Sequence, residues 1–243
     1  MPMAQPENIT PPKPDYPQAA SDPELSQLLK ILAHDLSAPV RHLRYFSERL
    51  YESLGDARNE QQDESEYYID LSLKRIDGLI DAIARYGVLV NGFSTRPDVS
   101  CDEIFSHLYS KVKPLLDEAD VTLELPRLSA TLTGDKDQLV EMLVYLVENS
   151  LRFASDDRPL EITLAAEVDK GSTVFQVIDN GVGIDPTQYD HVLQMFRHGE
   201  RDRAGVGAGL GLVSRIVKNH GGLISLTAAK PVGLCVTIRI AQQ

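Results

Sequence analysis

From Glu24 onward, apolar side chains recur at alternating spacings of four and three: Leu25, Leu29, Leu32, Leu36, Pro39, Leu43, Phe46 and Leu50. That is a heptad seam, and it predicts a long helix that needs a partner helix. The stretch GDARNEQQDES (55–65) breaks the pattern with glycine and charge. A second seam follows at Ile69, Leu73, Ile76, Ile80, Ile83, Gly87 and Val90. Two such helices joined by a short loop make an antiparallel hairpin. A hairpin alone buries little, so two copies pairing into a four-helix bundle, a homodimer, is the expected solution.

NGFSTRPD (91–98) marks a hinge by its turn residues. Beyond it the pattern predicts a helix near 101–119, a short strand VTLEL (121–125), and a long helix KDQLVEMLVYLVENSLRFA (136–154) capped by Asp135. LEITLAAEV and STVFQVIDN read as strands paired across a turn at residues 169–171. GLGLVSRIVKNHGG reads as a helix stopped by glycines, and LISLTA and LCVTIRI as two last strands. The second half is therefore a mixed sheet with helices on one face. The fold class is α+β, with a division into 1–23, a flexible proline-rich tail, 24–94, the hairpin, and 98–243, the α/β part.

Composition narrows the function. The 243 residues carry 24 basic and 36 acidic side chains, a formal net charge of -12. Such a balance argues against nucleic acid and against an anionic membrane surface as partners. No apolar run approaches the ~18 residues of a membrane span, and residues 1–23 hold seven prolines rather than a signal-peptide core. The two cysteines, Cys101 and Cys235, have no metal-ligand spacing and fit a reducing compartment. A cytoplasmic location is the expectation.

Four constellations carry candidate chemistry. In KILAHDLSAPVRHL (30–43), His34 falls at position f of the heptad, the most exposed one. Asp35 beside it can take the proton of one ring nitrogen and leave the other as a nucleophile; a solvated histidine is the plain alternative. Pro39 interrupts the helix one turn downstream. DNGVGID (179–185) follows a strand, and Asp179 there offers a carboxylate suited to an exocyclic amine such as that of adenine; an ordinary glycine turn is the alternative. GVGAGLGL (205–212) opens a helix, where backbone N–H groups favour phosphate. Asn149 and Arg152, three apart on one helix face, supply an oxygen ligand for magnesium and a cation for phosphate, unless they are a solvated helix end.

In this order and spacing the four resemble the catalytic core of sensor histidine kinases. The His34 segment HDLSAPVR is similar to the phosphoacceptor box of phytochrome-type kinases. LVENSLRFA resembles the asparagine box, DNGVGID the first glycine box, MFRHGER the phenylalanine box and GAGLGL the second glycine box. The resemblance covers all but the tail, and implies a dimerisation and phosphotransfer hairpin followed by a GHKL-type ATP-binding α/β sandwich.

What the resemblance implies for each residue is as follows. His34 takes the γ-phosphoryl group of ATP with Asp35 as general base. Asn149 binds Mg2+ and Arg152 the phosphates. Asp179 reads adenine, with Gly181 and Gly183 shaping its pocket, while Gly207, Gly209 and Gly211 support the triphosphate. Residues 185–208 form a lid in which Arg197, Arg201 and Arg203 meet phosphate charge. The implied partners are the receiver domain of a response regulator, a second copy of the chain, and a separate sensor protein. Two positions depart from the family pattern. Tyr145 stands where a second asparagine is usual, one turn from Asn149 on the same face, which implies an incomplete metal site and slow phosphorylation. Ala38 stands four after the histidine, where it cannot orient a water for dephosphorylation. The alternative function is a phosphotransfer or scaffold protein with a catalytically weak ATP-binding domain.

Overall fold

The computed structural model describes residues 22–55, 59–92, 97–197 and 206–242. Helix α1 runs Pro23–Leu54 and helix α2 Glu60–Val90. Asp22 caps α1 by accepting from the Leu25 amide, with Pro23 in the first turn, where its missing N–H costs nothing. Asn59 and Gln62 form a reciprocal capping box at the start of α2. Pro39 does not end α1. It has no N–H for the carbonyl of Asp35, so the one missing helical bond falls beside His34.

The hairpin closes on a different stripe of α1 from the leucine seam. The buried cluster between the helices is Ala33, Val40, Leu73 and Ile80. The predicted seam lies to one side of it and stays uncovered, with Leu43, Phe46 and Leu50 59%, 66% and 58% exposed. On α2 the expectation holds better, since Leu73, Ile80, Gly87 and Val90 are buried, although Ile69 and Ile76 are not. Ala33 and Val40 of α1 cluster with Leu73 and Ile80 of α2, and Arg44 reaches across to Asp77. The leucines remain as an unpaired apolar face.

The α/β part contains β1 (Asp98–Ser100), α3 (Cys101–Ala119), β2 (Leu123–Glu124), β3 (Thr131–Thr133), α4 (Lys136–Arg152), β4 (Ile162–Asp169) and β5 (Ser172–Asp179). A 3-10 turn (Pro186–Gln188), α5 (Tyr189–Val192), α6 (Gly209–Asn219), β6 (Leu223–Ala228) and β7 (Leu234–Ala241) complete it. The main sheet has the order β2-β4-β5-β7-β6, and only β2 and β4 pair in parallel, so it is mixed. β1 and β3 form a separate two-stranded sheet that the residue pattern did not announce. Alternation does the rest: Leu234, Val236, Ile238 and Ile240 of β7, with Phe175 and Val177 of β5, point into one core. Helices α3, α4 and α6 bury their apolar faces in that core.

The last turns of α2 belong to the same core through Ala82 and Leu89. The end of α2 is also held by polar bonds. Arg215 Nη2 donates to Val90 O at 2.8 Å, and Asn219 Nδ2 donates to Leu89 O at 2.9 Å.

Candidate functional site

The C-terminal end of β5, the end of α4 and the start of α6 converge on a cavity of about 540 Å³. The size falls within the ~300–1,000 Å³ usual for small-molecule sites. Its walls are apolar (Leu146, Val177, Val182, Ile184, Val192 and Val236 among them), and Asp179 supplies a carboxylate. Asp179 Oδ1 accepts from the Gly181 amide at 2.9 Å and the Leu234 amide at 3.2 Å, and Oδ2 accepts from Ser150 Oγ at 3.1 Å. Burial pushes the Asp179 pKa above the ordinary carboxylate value, and these three donors oppose the shift.

The local sequence explains why the carboxylate sits there. β5 brings Asp179 opposite Ile162 on one side and Leu234 on the other. The loop between β6 and β7 crosses so close to Asp179 that a Cβ at Gly233 would lie 1.9 Å from Asp179 O, and Gly233 has φ +113°. Only glycine fits. Asp185, at the exposed edge, caps the 3-10 turn through Thr187, whose hydroxyl and amide hold its carboxyl below the ordinary value.

On the other side of the cavity, α6 starts at Gly209 with no side-chain cap, so its first amides face the cavity through Gly209 and Leu210. Such a helix start favours anions. Arg152 and Arg197 line the same space. The Asn149 side chain lies against this helix start: a Cβ on Gly209 would come within 3.0 Å of both its Nδ2 and its Oδ1. Asn149 Nδ2 is buried and has no hydrogen-bond partner among the described residues. An N–H donor left unsatisfied beside an anion site fits an acceptor such as a phosphate oxygen, and the oxygen of the same amide is a suitable ligand for magnesium.

Of the residues singled out from sequence, Asn149, Arg152, Asp179, Gly183, Arg197, Gly207 and Gly209 line the cavity. Gly181 and Gly211 do not. Gly181 serves by its amide on Asp179 and by passing close to Phe153 O, and Gly211 admits the backbone of Met195. Gly207, with φ +66°, likewise admits the backbone of Arg197, where a Cβ would meet Arg197 O at 2.6 Å. Two of the expected phosphate glycines thus make room for the 195–197 segment. Residues 198–205, with Arg201 and Arg203, lie outside the described residues. Ser150, Gly233 and Leu234 were not anticipated. Ser150 carried a signal, since it adjoins Asn149 on a helix face already assigned to the site.

Tyr145 is not in the cavity. It is buried, and its hydroxyl accepts from Arg85 Nη1 of α2 at 2.9 Å, while Arg85 also bonds Glu141 at 3.1 Å. His34 is not in the cavity either, for no residue of α1 lines it. Its side chain is 89% exposed, and its Nδ1 lies 3.1 Å from Asp35 Oδ1. The structure brings Asn149, Arg152 and Asp179 together and leaves the His34–Asp35 pair apart from them.

Comparison with known proteins defines the class. Residues 134–243 match the family of histidine kinase-, DNA gyrase B- and HSP90-like ATPases, and over most of its length the chain is similar to histidine kinases. It is 27% identical over 220 residues to the methanogenesis regulatory histidine kinase FilI of Methanothrix harundinacea, covering 89% of this chain and 24% of that one. It is 24% identical over 208 residues to the phytochrome-like protein Cph1 of Synechocystis, covering 85% of this chain and 28% of that one. The chain thus spans about a quarter of each of these relatives. The crystal structure of histidine kinase ThkA in complex with the response regulator protein TrrA superposes with a TM-score of 0.62 at 14% identity, over 90% of this chain and 64% of that one. Among the described residues, no helix is long and apolar enough to cross a membrane.

Proposed function

We propose that the protein is an ATP-dependent protein-histidine kinase that phosphorylates His34 and passes the phosphoryl group to an aspartate of a response regulator receiver domain. The observation that carries the reading is the presence, in one chain, of a half-buried carboxylate lining an apolar cavity and a nearly fully exposed histidine paired with an aspartate. Asp179 takes the exocyclic amine of the base, the apolar walls take its faces, and the start of α6 with Arg152 and Arg197 takes the phosphates. Asn149 holds the magnesium ion, which supplies charge neutralisation on the phosphates.

At the other partner, the Nδ1–H of His34 donates to Asp35 and leaves the Nε2 lone pair as the nucleophile. The Nε2–phosphorus bond forms as the bond from the γ-phosphorus to the ADP oxygen breaks, and the Nδ1 proton passes to Asp35 and on to solvent. Positioning carries most of such a transfer, and α1 must come to the cavity for it. The uncovered leucine face of α1 supports a homodimeric four-helix bundle. A complex of a histidine kinase with a response regulator among the similar structures supports the choice of phosphate acceptor.

A second reading, a phosphotransfer or scaffold protein with a weak ATP-binding domain, is favoured by one observation: Tyr145 is engaged with Arg85 and supplies nothing to the cavity. The test is incubation with γ-labelled ATP followed by addition of a receiver domain. Label that enters the chain and then leaves it for the receiver supports the kinase. Nucleotide binding without label selects the second reading.

A further inference from the structure

The three donors to Asp179 are not distributed evenly. Oδ1 takes two backbone amides, those of Gly181 and Leu234, and among the described residues Oδ2 takes only the Ser150 hydroxyl. A carboxylate has about four acceptor directions, two on each oxygen. Both of those on Oδ1 are used, and Ser150 occupies one on Oδ2. One remains, on the carboxylate of a residue that lines the cavity.

We propose that Ser150 is a positioning residue for this site: its hydroxyl fixes the Asp179 carboxylate so that a single Oδ2 acceptor is presented to an exocyclic amine of the bound base. The proposal rests on the reading of the cavity as an adenine-nucleotide site. Ser150 is 3% exposed, on α4, directly after Asn149. One helical position thus addresses the magnesium side of the cavity and the next addresses the base side.

The competing role for Ser150 is purely local. Its Oγ also lies 3.1 Å from Leu146 O, one turn back on the same helix. The hydroxyl has one proton and two acceptors in reach. Leu146 O already takes the i−4 helical bond from the Ser150 amide. A bond to an ionised carboxylate is roughly twice as strong as one to a neutral carbonyl. The proton therefore goes to Asp179.

Removing the donor has a consequence that a packing change lacks. The Ser150 bond favours the charged carboxylate against burial. Without it Asp179 protonates at higher pH, and a protonated carboxyl no longer offers the amine a charged acceptor. Affinity for adenine nucleotide is present above the Asp179 pKa and lost as the pH falls through it, so in Ser150→Ala the loss begins at higher pH. Other groups set a common background: Arg152, Asp185 and Arg197 line the same cavity, and Arg158 reaches Asn180 O at 3.5 Å. The flanking partners of Asp179 on β4 and β7 are the apolar Ile162 and Leu234.

The test is calorimetric titration of the whole chain with a non-hydrolysable ATP analogue across a pH series, for wild type, Ser150→Ala, Ser150→Thr and Asp179→Asn. Ser150→Ala should bind roughly three- to tenfold more weakly at neutral pH, with its acid limb moved to higher pH. Ser150→Thr, which keeps the hydroxyl, should recover most of the loss. If Ser150→Ala does not fold, Ser150→Cys, of nearly the same volume but a weak donor, gives the same comparison. Wild-type affinity and an unmoved acid limb in the Ala or Cys variant overturn the proposal while leaving the nucleotide reading intact. Failure of the wild type to bind the analogue overturns both, and wild-type affinity in Asp179→Asn overturns the role of the carboxylate and with it that of Ser150.

Discussion

Arg85 of α2 donates to the hydroxyl of Tyr145 of α4 at 2.9 Å and lies 5.8 Å above the centre of the same ring. The tyrosine that stands in place of a family asparagine therefore ties the ATPase-type unit to the hairpin. From spacing alone, residues 145 and 149 share a helix face and both could approach one ion. In the folded chain the bulk of the ring and the Arg85 donor take Tyr145 to α2 instead.

Tyr145→Phe should cost about 0.5–1.5 kcal/mol, the net worth of one hydrogen bond. Tyr145→Asn should cost more, about 2 kcal/mol or above, because it also removes the buried ring and its cation–π contact. Urea unfolding measures both. Since Tyr145 contributes nothing to the cavity, Tyr145→Asn should not speed phosphorylation of His34. A several-fold acceleration at saturating ATP and magnesium would show that the asparagine reaches the ion after all.

The two stripes of α1 predict two different failures. Val40 is buried against α2, whereas Leu43 is exposed on the unpaired face. Val40→Glu should unfold the hairpin, at several kcal/mol for an unpaired buried charge. Leu43→Glu should leave the hairpin helical and split the dimer. Light scattering with circular dichroism separates the cases, and a wild-type monomer at micromolar concentration would refute the bundle.

Much of this was legible from the chain because periodic elements announce themselves. Helices α3 and α4 lie within a residue or two of their expected ends, and the β4–β5 pair turns where the 169–171 signal put it. The three-residue strands β1 and β3 were missed, being too short for any period to show. The leucine seam calls for a partner helix, and the helix that α1 meets within the chain packs instead on Ala33 and Val40. Val40 is as apolar as the leucines, so which of two adjacent stripes meets α2 is decided by the fit of the two helices together. At the site, Asn149, Arg152 and Asp179 were visible through their motifs. Ser150 had only its place beside Asn149 to mark it and the Leu234 amide nothing, because a hydrogen bond between residues 29 or 55 positions apart leaves no local trace.

Asp179→Asn should weaken binding of an ATP analogue roughly 10- to 150-fold, the loss of one charge-assisted hydrogen bond worth about 1.5–3 kcal/mol. Calorimetry checks it. Unchanged affinity would mean that the carboxylate does not read the base.

Cys101 begins α3, a position that ordinarily favours the thiolate, yet it is wholly buried and its pKa is pushed from 9.0 up to about 11 by burial. A neutral alkylating reagent should therefore modify Cys235 in the native protein and reach Cys101 only after unfolding. The sign for stability follows. Between pH about 9 and 11 the unfolded thiol ionises and the folded one does not, so Cys101 lowers stability as pH rises through that window. In Cys101→Ser, melting points should fall less steeply over the same window.

The central claim is that His34 receives phosphate from ATP bound beside Asp179, and the most direct measurement is a time course of label from γ-labelled Mg-ATP into wild type and His34→Ala. The account predicts acid-labile, base-stable label in the wild type and none in the variant, with the nucleotide affinity of both unchanged. Label that persists in His34→Ala, or its absence from a wild-type protein saturated with nucleotide, would contradict it.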